Sequence, residues 1–184
     1  MNIYVARHGQ TNYNVLGLCN DNPSRHVYLT ETGIKQAEQL ATRLSAVNLD
    51  VIFVSQLPRT RQTARIVNHY HDVRIIECEE LNDIHTGFDG EPVEKYFATV
   101  VKDRFNIIPP GGESLGQFQH RVNAFLDALL MEEHETVLII AHEETLRVCE
   151  ARFRKLGRQQ MEGLSFDNCE YAQYRVNKWF RNTA

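Results

Sequence analysis

Apolar positions fall along this chain in short blocks with two different rhythms. Residues 2–6, 51–54, 74–77 and 136–141 are brief runs, apolar on both sides, with the length and composition of strands covered on both faces. Between them the spacing widens to three and four. Ile34, Ala37, Leu40, Ala41, Leu44 and Val47 mark the inner face of a helix over 31–46, capped by Thr30. Ala64, Ile66, Val67 and Tyr70 mark a helix over 57–70, and Val93, Phe97, Val100, Val101 and Phe105 one over 91–105. After the loop forced by Pro109-Pro110-Gly111-Gly112, Ser114 and Gln117 form a capping box ahead of Phe118, Val122, Phe125, Leu126 and Leu129. A further helix spans 143–156, with Gly157 as its stop, and alternation over 169–176 indicates a late, partly exposed strand. Strands alternating with helices predict an α/β fold: a three-layer sandwich with a mostly parallel central sheet and helices on both faces, formed as one domain over residues 1–184.

Composition narrows the function classes. A net charge of −4 argues against a nucleic-acid-binding surface, so basic groups that matter must act locally. No apolar run approaches the ~20 residues of a membrane span. Met1-Asn2-Ile3-Tyr4 lacks the basic and apolar regions of a secretory signal. Cys19, Cys78, Cys149 and Cys169 are scattered without a Cys-x-x-Cys pair, the pattern of reduced thiols in a cytoplasmic protein.

Chemistry concentrates where strands end, which in open α/β sheets is where ligands bind. Arg7 and His8 follow the first strand, Arg59 the second, Asp83 the third and His142 the strand 136–141. Arginine forks suit phosphate oxygens, and a neutral imidazole is a nucleophile at neutral pH. A second histidine can donate to phosphoryl oxygens, and a carboxylic acid can protonate a leaving oxygen and later activate water. The cationic side chains can stabilise the charge, so neither metal nor cofactor is expected. Each element also has a plainer reading. His8 alone could be a satisfied strand-end histidine. Gly111-Gly112 is a tight turn rather than a phosphate loop, and His69-x-His71-Asp72 lacks a third spaced metal ligand.

Taken in order, the motifs resemble the histidine phosphatase superfamily, also called phosphoglycerate mutase-like. Arg7-His8-Gly9-Gln10-Thr11 is similar to its R-H-G-[EQ]-T signature, with Asn14 at the position of a phosphate-contacting Asn. Leu29–Gly33 with Gln36-Ala37, Ser55-x-Leu57-x-Arg59 with Gln62-Thr63-Ala64, Leu81-Asn82-Asp83 with Gly87, Pro110–Ser114, and Ala141-His142 with Arg147 follow in the family's order. The resemblance implies that His8 accepts the phosphoryl group, that Arg7, Arg59, His142 and Asn14 bind phosphate, and that Asp83 is the proton donor. It implies a metal-independent phosphomonoesterase acting on a small phosphorylated metabolite through a phosphohistidine, with no nucleic-acid or membrane partner. Phosphoglycerate mutase-type transfer is the alternative on the same fold, and a non-catalytic phospho-ligand-binding module the alternative of another class. The substrate and oligomeric state stay open. Two positions depart from the pattern. Asp83 stands where the family usually has the longer Glu, leaving Glu80 or Asp89 as substitutes. Glu143-Glu144 follows the second histidine where glycine is common. Placed outward on a first helical turn, this pair would be favoured by the helix dipole; placed inward, it would select a substrate with a cationic or hydrogen-bonding group.

Overall fold

The computed structural model describes residues 1–177. Its elements run β1 (Asn2–Arg7), α1 (Asn12–Leu16), α2 (Glu31–Leu44), β2 (Val51–Val54), α3 (Pro58–Val67), β3 (Arg74–Glu77), α4 (Val93–Val100), α5 (Leu115–Leu130), β4 (Thr136–Ala141), α6 (Glu143–Arg154), α7 (Arg158–Glu162) and β5 (Tyr171–Arg175). The sheet order is β3-β2-β4-β1-β5. The first four strands are parallel, and β5 closes the β1 edge antiparallel. The architecture is the expected mostly parallel α/β sandwich.

Alternation along each strand builds the two sides of the core. Ile3, Val5, Val51, Phe53, Val137 and Ile139 pack with α5 residues such as Phe118, Val122 and Leu126 and with Leu146 and Cys149 of α6. Ala6, Ile52, Val54, Leu138 and Ile140 pack on the opposite face with Ala37, Leu40 and Leu44 of α2 and Ala64 and Val67 of α3. With both faces buried, strands have no polar side to show, which is why periodicity alone reads as continuous apolar runs.

Local expectations fail where tertiary contact decides. The helix from 91 stops at Val100 and gives way to turns, and Phe97 and Val101 are 48% and 77% exposed instead of inside. Ile34, expected on the inner face of α2, is 40% exposed. The helix over 57–70 ends at Val67 and tightens into a 3₁₀ turn, Asn68–Tyr70. Lys155, in the left-handed region at φ 56°, ends α6, while Gly157 is the N-cap of α7, a helix too short to announce itself by periodicity. The late strand is β5, shorter than the alternating stretch that signalled it.

The loop after β1 is held by close backbone approach. A Cβ on Gly33 would lie 2.0 Å from the Gln10 carbonyl oxygen, and one on Gly9 would lie 2.4 Å from that of Gly33. Around this contact the Thr30 N–H donates to Gln10 O at 2.9 Å, Gln36 Oε1 accepts from Gln10 N at 2.9 Å, and Thr63 Oγ1 accepts from Gly9 N at 3.2 Å. Gln62 Oε1 accepts from Leu29 N at 2.8 Å. The polar residues of α2 and α3 thus fix the path of the loop carrying His8. Gly33→Ala is expected to cost roughly 1–3 kcal/mol, the usual penalty of forcing atoms into a packed contact. Urea unfolding checks this, and a midpoint equal to that of the parent protein would contradict the account.

Candidate active site

β1 and β4 pair in register, so Arg7 lies opposite Ala141 and the next residues, His8 and His142, leave the sheet side by side. Their rings stand 5.3 Å apart at 63°. β2 borders β4 on the other side and leads into α3, whose first turn brings in Arg59. Asp83 follows β3 through the 3₁₀ turn Glu79–Leu81. The four chemically active strand ends therefore converge on one rim.

Arg59 joins them. Its Nε donates to His8 Nε2 at 2.9 Å, and its Nη2 donates to Asp83 Oδ2 at 2.9 Å and to His142 Nδ1 at 3.1 Å. Nη1 binds Asn20 Oδ1, and Nη2 also donates to the Asn20 carbonyl at 3.0 Å. Burial lowers the proton affinity of this guanidinium and Asp83 partly restores it; arginine stays charged regardless.

These donors assign the imidazole protons. His8 Nε2 accepts from Arg59, so its proton sits on Nδ1 and donates to the Gly9 carbonyl at 2.7 Å. His142 Nδ1 accepts from Arg59, so Nε2–H donates to Ser55 Oγ at 2.9 Å. Ser55 Oγ in turn meets Thr60 Oγ1 at 2.8 Å, and Thr60 donates to the Leu57 carbonyl at 2.8 Å. Burial, then the positive charge of Arg59, holds both histidines well below the ordinary 6.5. Both are neutral at pH 7, and His8 carries its lone pair on Nε2, facing Arg59.

Arg7 donates to the Phe166 carbonyl at 2.5 Å and pairs with Glu143 at 3.0 Å, while its buried Nε has no partner. Asn14 is exposed on the cavity wall. Its Oδ1 caps α1 through Thr11 N at 3.0 Å, leaving the NH₂ end as the group able to donate to an anion. With His8, Arg59 and Asp83, these residues line a cavity of about 190 Å³. Neither substitute for Asp83 lines it. Glu80 is exposed, and Asp89 is held by Arg25 at 2.6 Å and Asn20 at 3.1 Å.

Several residues with a part in this geometry escaped the sequence reading. Arg121 of α5 donates to the carbonyls of Glu80 at 2.8 Å and Asn82 at 3.0 Å, and pairs with Glu113, which also accepts from His85 N at 3.1 Å. The Pro110–Ser114 motif thereby anchors the loop that carries Asp83. Arg104 enters the cavity wall from beyond α4, paired with Glu144 at 2.6 Å. Burial opposes its charge, but Glu144 and Tyr96 outweigh that and raise its proton affinity. Glu143 and Glu144 do not face outward. Both line the cavity, and Glu144 is buried. No local signal marks Asn20 or Arg104, because their partners are distant in sequence. Cys19 also lines the cavity, and burial raises its thiol, which keeps it protonated. Among the described residues no group of three or more His, Cys, Asp or Glu could hold a metal ion. No helix among them is long and apolar enough to cross a membrane.

Comparison with known proteins bears on this geometry. The sequence model of the histidine phosphatase superfamily (branch 1) matches residues 3–180. The adenosylcobalamin/alpha-ribazole phosphatase of Escherichia coli (strain K12) is 28% identical, over 98% of this chain and 92% of that protein. A 2,3-bisphosphoglycerate-dependent phosphoglycerate mutase of Parvibaculum lavamentivorans is 32% identical, over 89% of this chain and 84% of its own length. The crystal structure of the alpha-ribazole phosphatase from Shigella flexneri superposes with a TM-score of 0.87 at 26% identity, covering 97% of this chain and 92% of that one.

The proton assignments have a direct readout. Imidazole ¹⁵N NMR at about pH 6 should show His8 neutral with its proton on Nδ1 and His142 neutral with its proton on Nε2, assigned with single His→Gln variants. An imidazolium signature at either would contradict the assignment. The linked stability has a definite sign. Unfolded histidines titrate near 6.5 and these two lower, so as pH falls below 6.5 the unfolded chain takes up protons that the folded one refuses. Stability should therefore drop with acid from that point.

Proposed function

The chain belongs to branch 1 of the histidine phosphatase superfamily, and from that premise we propose that it hydrolyses a small phosphomonoester through a phosphohistidine on His8. The observation that carries the reading is the state of His8. It is buried, neutral and oriented by the Gly9 carbonyl so that Nε2 presents its lone pair between Arg59 and the cavity. A nucleophile at phosphorus needs this, together with cationic donors for the phosphoryl oxygens.

Arg7, Arg59, the Asn14 amide and His142 are the proposed phosphate ligands, His142 by a tautomer shift on binding in which Nε2 accepts from Ser55 Oγ and Nδ1 carries the proton toward the phosphate. The unpartnered Arg7 Nε is a donor without an acceptor until an anion arrives. Binding requires Arg59 to exchange its contacts with His8 and Asp83 for phosphate oxygens. The exchange frees the His8 lone pair. It also frees the Asp83 carboxyl and sets the ester beside it, so that a proton carried in by the phosphate monoanion can pass to Asp83. His8 Nε2 then bonds to phosphorus as the ester P–O bond breaks, and Asp83 gives its proton to the leaving oxygen. In the second half Asp83, now a carboxylate, takes a proton from water. The water oxygen bonds to phosphorus, the N–P bond breaks, and orthophosphate leaves.

Transfer to water is favoured over mutase transfer by what lies opposite the nucleophile. Of the basic residues between Asp83 and Gly111, which are Lys95, Lys102 and Arg104, only Arg104 lines the cavity, and it is paired with Glu144. Arg104 thus offers a second anionic group a charge already neutralised. The relatives named above include phosphatases and a mutase, so a screen of phosphorylated metabolites, scored by release of inorganic phosphate, is the experiment that tests the reading.

Two variants probe the assigned roles. His8→Ala should abolish turnover and the acid-labile phosphate trapped on the protein, with its unfolding curve intact; retention of more than a few per cent of activity would overturn the role. Asp83→Asn should slow an alkyl phosphate by ~10²–10⁴-fold, the usual worth of general acid catalysis. It should slow para-nitrophenyl phosphate far less, because that phenolate leaves without a proton. Equal slowing of both esters would move the proton donor elsewhere.

A further inference from the structure

The wall of the cavity contributed by α6 is acidic, and it is built. Arg7 meets Glu143 at 3.0 Å, Glu143 meets Arg147 at 2.7 Å, Arg147 meets Glu144 at 2.7 Å, and Glu144 meets Arg104 at 2.6 Å. This chain of alternating charges runs from the end of β1 to the rings of Tyr96 and Phe97, over which the Arg104 guanidinium lies at 5.6 Å and 5.2 Å. Both arginines that reach Glu144 bind the same oxygen, Oε1. The other, Oε2, is buried and has no hydrogen-bond partner, on a side chain only 10% exposed. A buried carboxylate oxygen without a donor is costly, and such groups are rare enough to need a reason.

The charges that line the cavity balance. Arg7, Arg59 and Arg104 stand against Asp83, Glu143 and Glu144, with both histidines neutral. One phosphate dianion can draw on Arg7 and Arg59, as the phosphatase reading above requires. What then faces the rest of the substrate is Glu143 and Glu144 with the already paired Arg104, a wall of net negative charge. A second anionic group would meet like charge, while a cationic donor would meet a compensating charge on a carboxylate that still lacks a donor at one oxygen.

We propose, resting on that phosphatase reading, that Glu144 selects phosphomonoesters whose alcohol portion carries an ammonium group, received by the Glu144 carboxylate, and that the same wall turns away esters bearing a carboxylate. Glu143 contributes to the rejection by keeping the wall negative and by holding Arg7 at the phosphate end. The device joins attraction to one substrate class with repulsion of another, so specificity is read as a ratio.

The test uses matched small esters: O-phosphoethanolamine, 2-hydroxyethyl phosphate and phosphoglycolate, which present an ammonium, a hydroxyl and a carboxylate beside the same phosphate. Para-nitrophenyl phosphate is the reference. The native protein should favour the ammonium ester over the carboxylate ester by ~10²-fold or more in kcat/KM, with the hydroxyl ester between, a range that charge and hydrogen-bond matching commonly reach. Glu144→Gln, which keeps the size of the side chain and removes its charge, should lower that ratio at least tenfold. Because the ratio compares two esters on one protein, a general loss of activity cancels. If Glu144→Gln does not fold, Glu144→Asp should lower the ratio in the same direction, and the preference of the native protein stands as an independent measurement. Hydrolysis of the aryl ester with no preference for ammonium over carboxylate, or with none of the small esters turned over, would overturn the inference and leave the phosphatase reading intact. A preference unchanged by loss of the Glu144 charge would also overturn it. Absence of phosphate release from all four esters would overturn both.

Discussion

The site depends on one buried cation. Arg59 sits at the first turn of α3, and its guanidinium donates to His8, His142, Asp83 and Asn20 together. Each of those partners comes from a different segment, so the arginine holds four backbone paths in one geometry. A cation buried this deeply is tolerated only when paired and fully hydrogen-bonded. Here the pairing is with Asp83, and the remaining donors use a carbonyl, an amide and two imidazole lone pairs. The requirement acts in both directions. Arg59 fixes the tautomers of both histidines, and the sheet order places β1, β4 and β2 side by side so that the lone pairs are within its reach. β1 can end in groups costly to bury because the first turn of α3, which follows β2, supplies their complement.

Much of this is legible in the sequence. Short strands buried on both faces announce themselves by composition, and Arg7, His8, Arg59, Asp83 and His142 fall just after their ends; the strand order then brings them to one rim. The polar motif residues around them could be noticed but not explained. Only the fold shows that Gln36, Gln62 and Thr63 accept hydrogen bonds from the N–H groups of Gln10, Leu29 and Gly9, and that Glu113 and Arg121 tie down the loop of Asp83. Part of what periodicity mispredicts lies beside the cavity. Phe97 and Val101 have helical spacing, yet α4 packs Tyr96 and Val100 inward and stops where the chain must turn to deliver Arg104. Propensity describes a helix in isolation, whereas a segment that borders a site is shaped by what it must present there.

The glutamates after His142 show the same conflict between local and distant forces. A first-turn acidic pair is satisfied by the helix dipole while fully solvated, a preference worth less than about 1 kcal/mol at an exposed position. Arginines at 104 and 147 and the end of β1 offer ion pairs that are half-buried or better, where a lower effective dielectric strengthens each contact. The larger interaction wins, and the pair turns inward. It does so incompletely, because two arginines crowd onto one oxygen of Glu144 and leave the other bare.

That incompleteness is informative about how the pocket handles charge. A phosphate site made only of cations would bind any polyanion, and would hold its product as tightly as its substrate. Here each cation on the cavity wall already has a carboxylate partner: Arg59 with Asp83, Arg7 with Glu143, Arg104 with Glu144. An arriving dianion meets cations whose charge is already partly compensated rather than an empty field, so net attraction is moderated while the donors stay oriented. In the proposed reaction Asp83, released by Arg59, holds the proton for the leaving oxygen, and the α6 glutamates are the proposed surface that the remainder of the substrate must match. One set of ion pairs thus orients the cations before binding and, under that proposal, supplies both the acid and the selectivity.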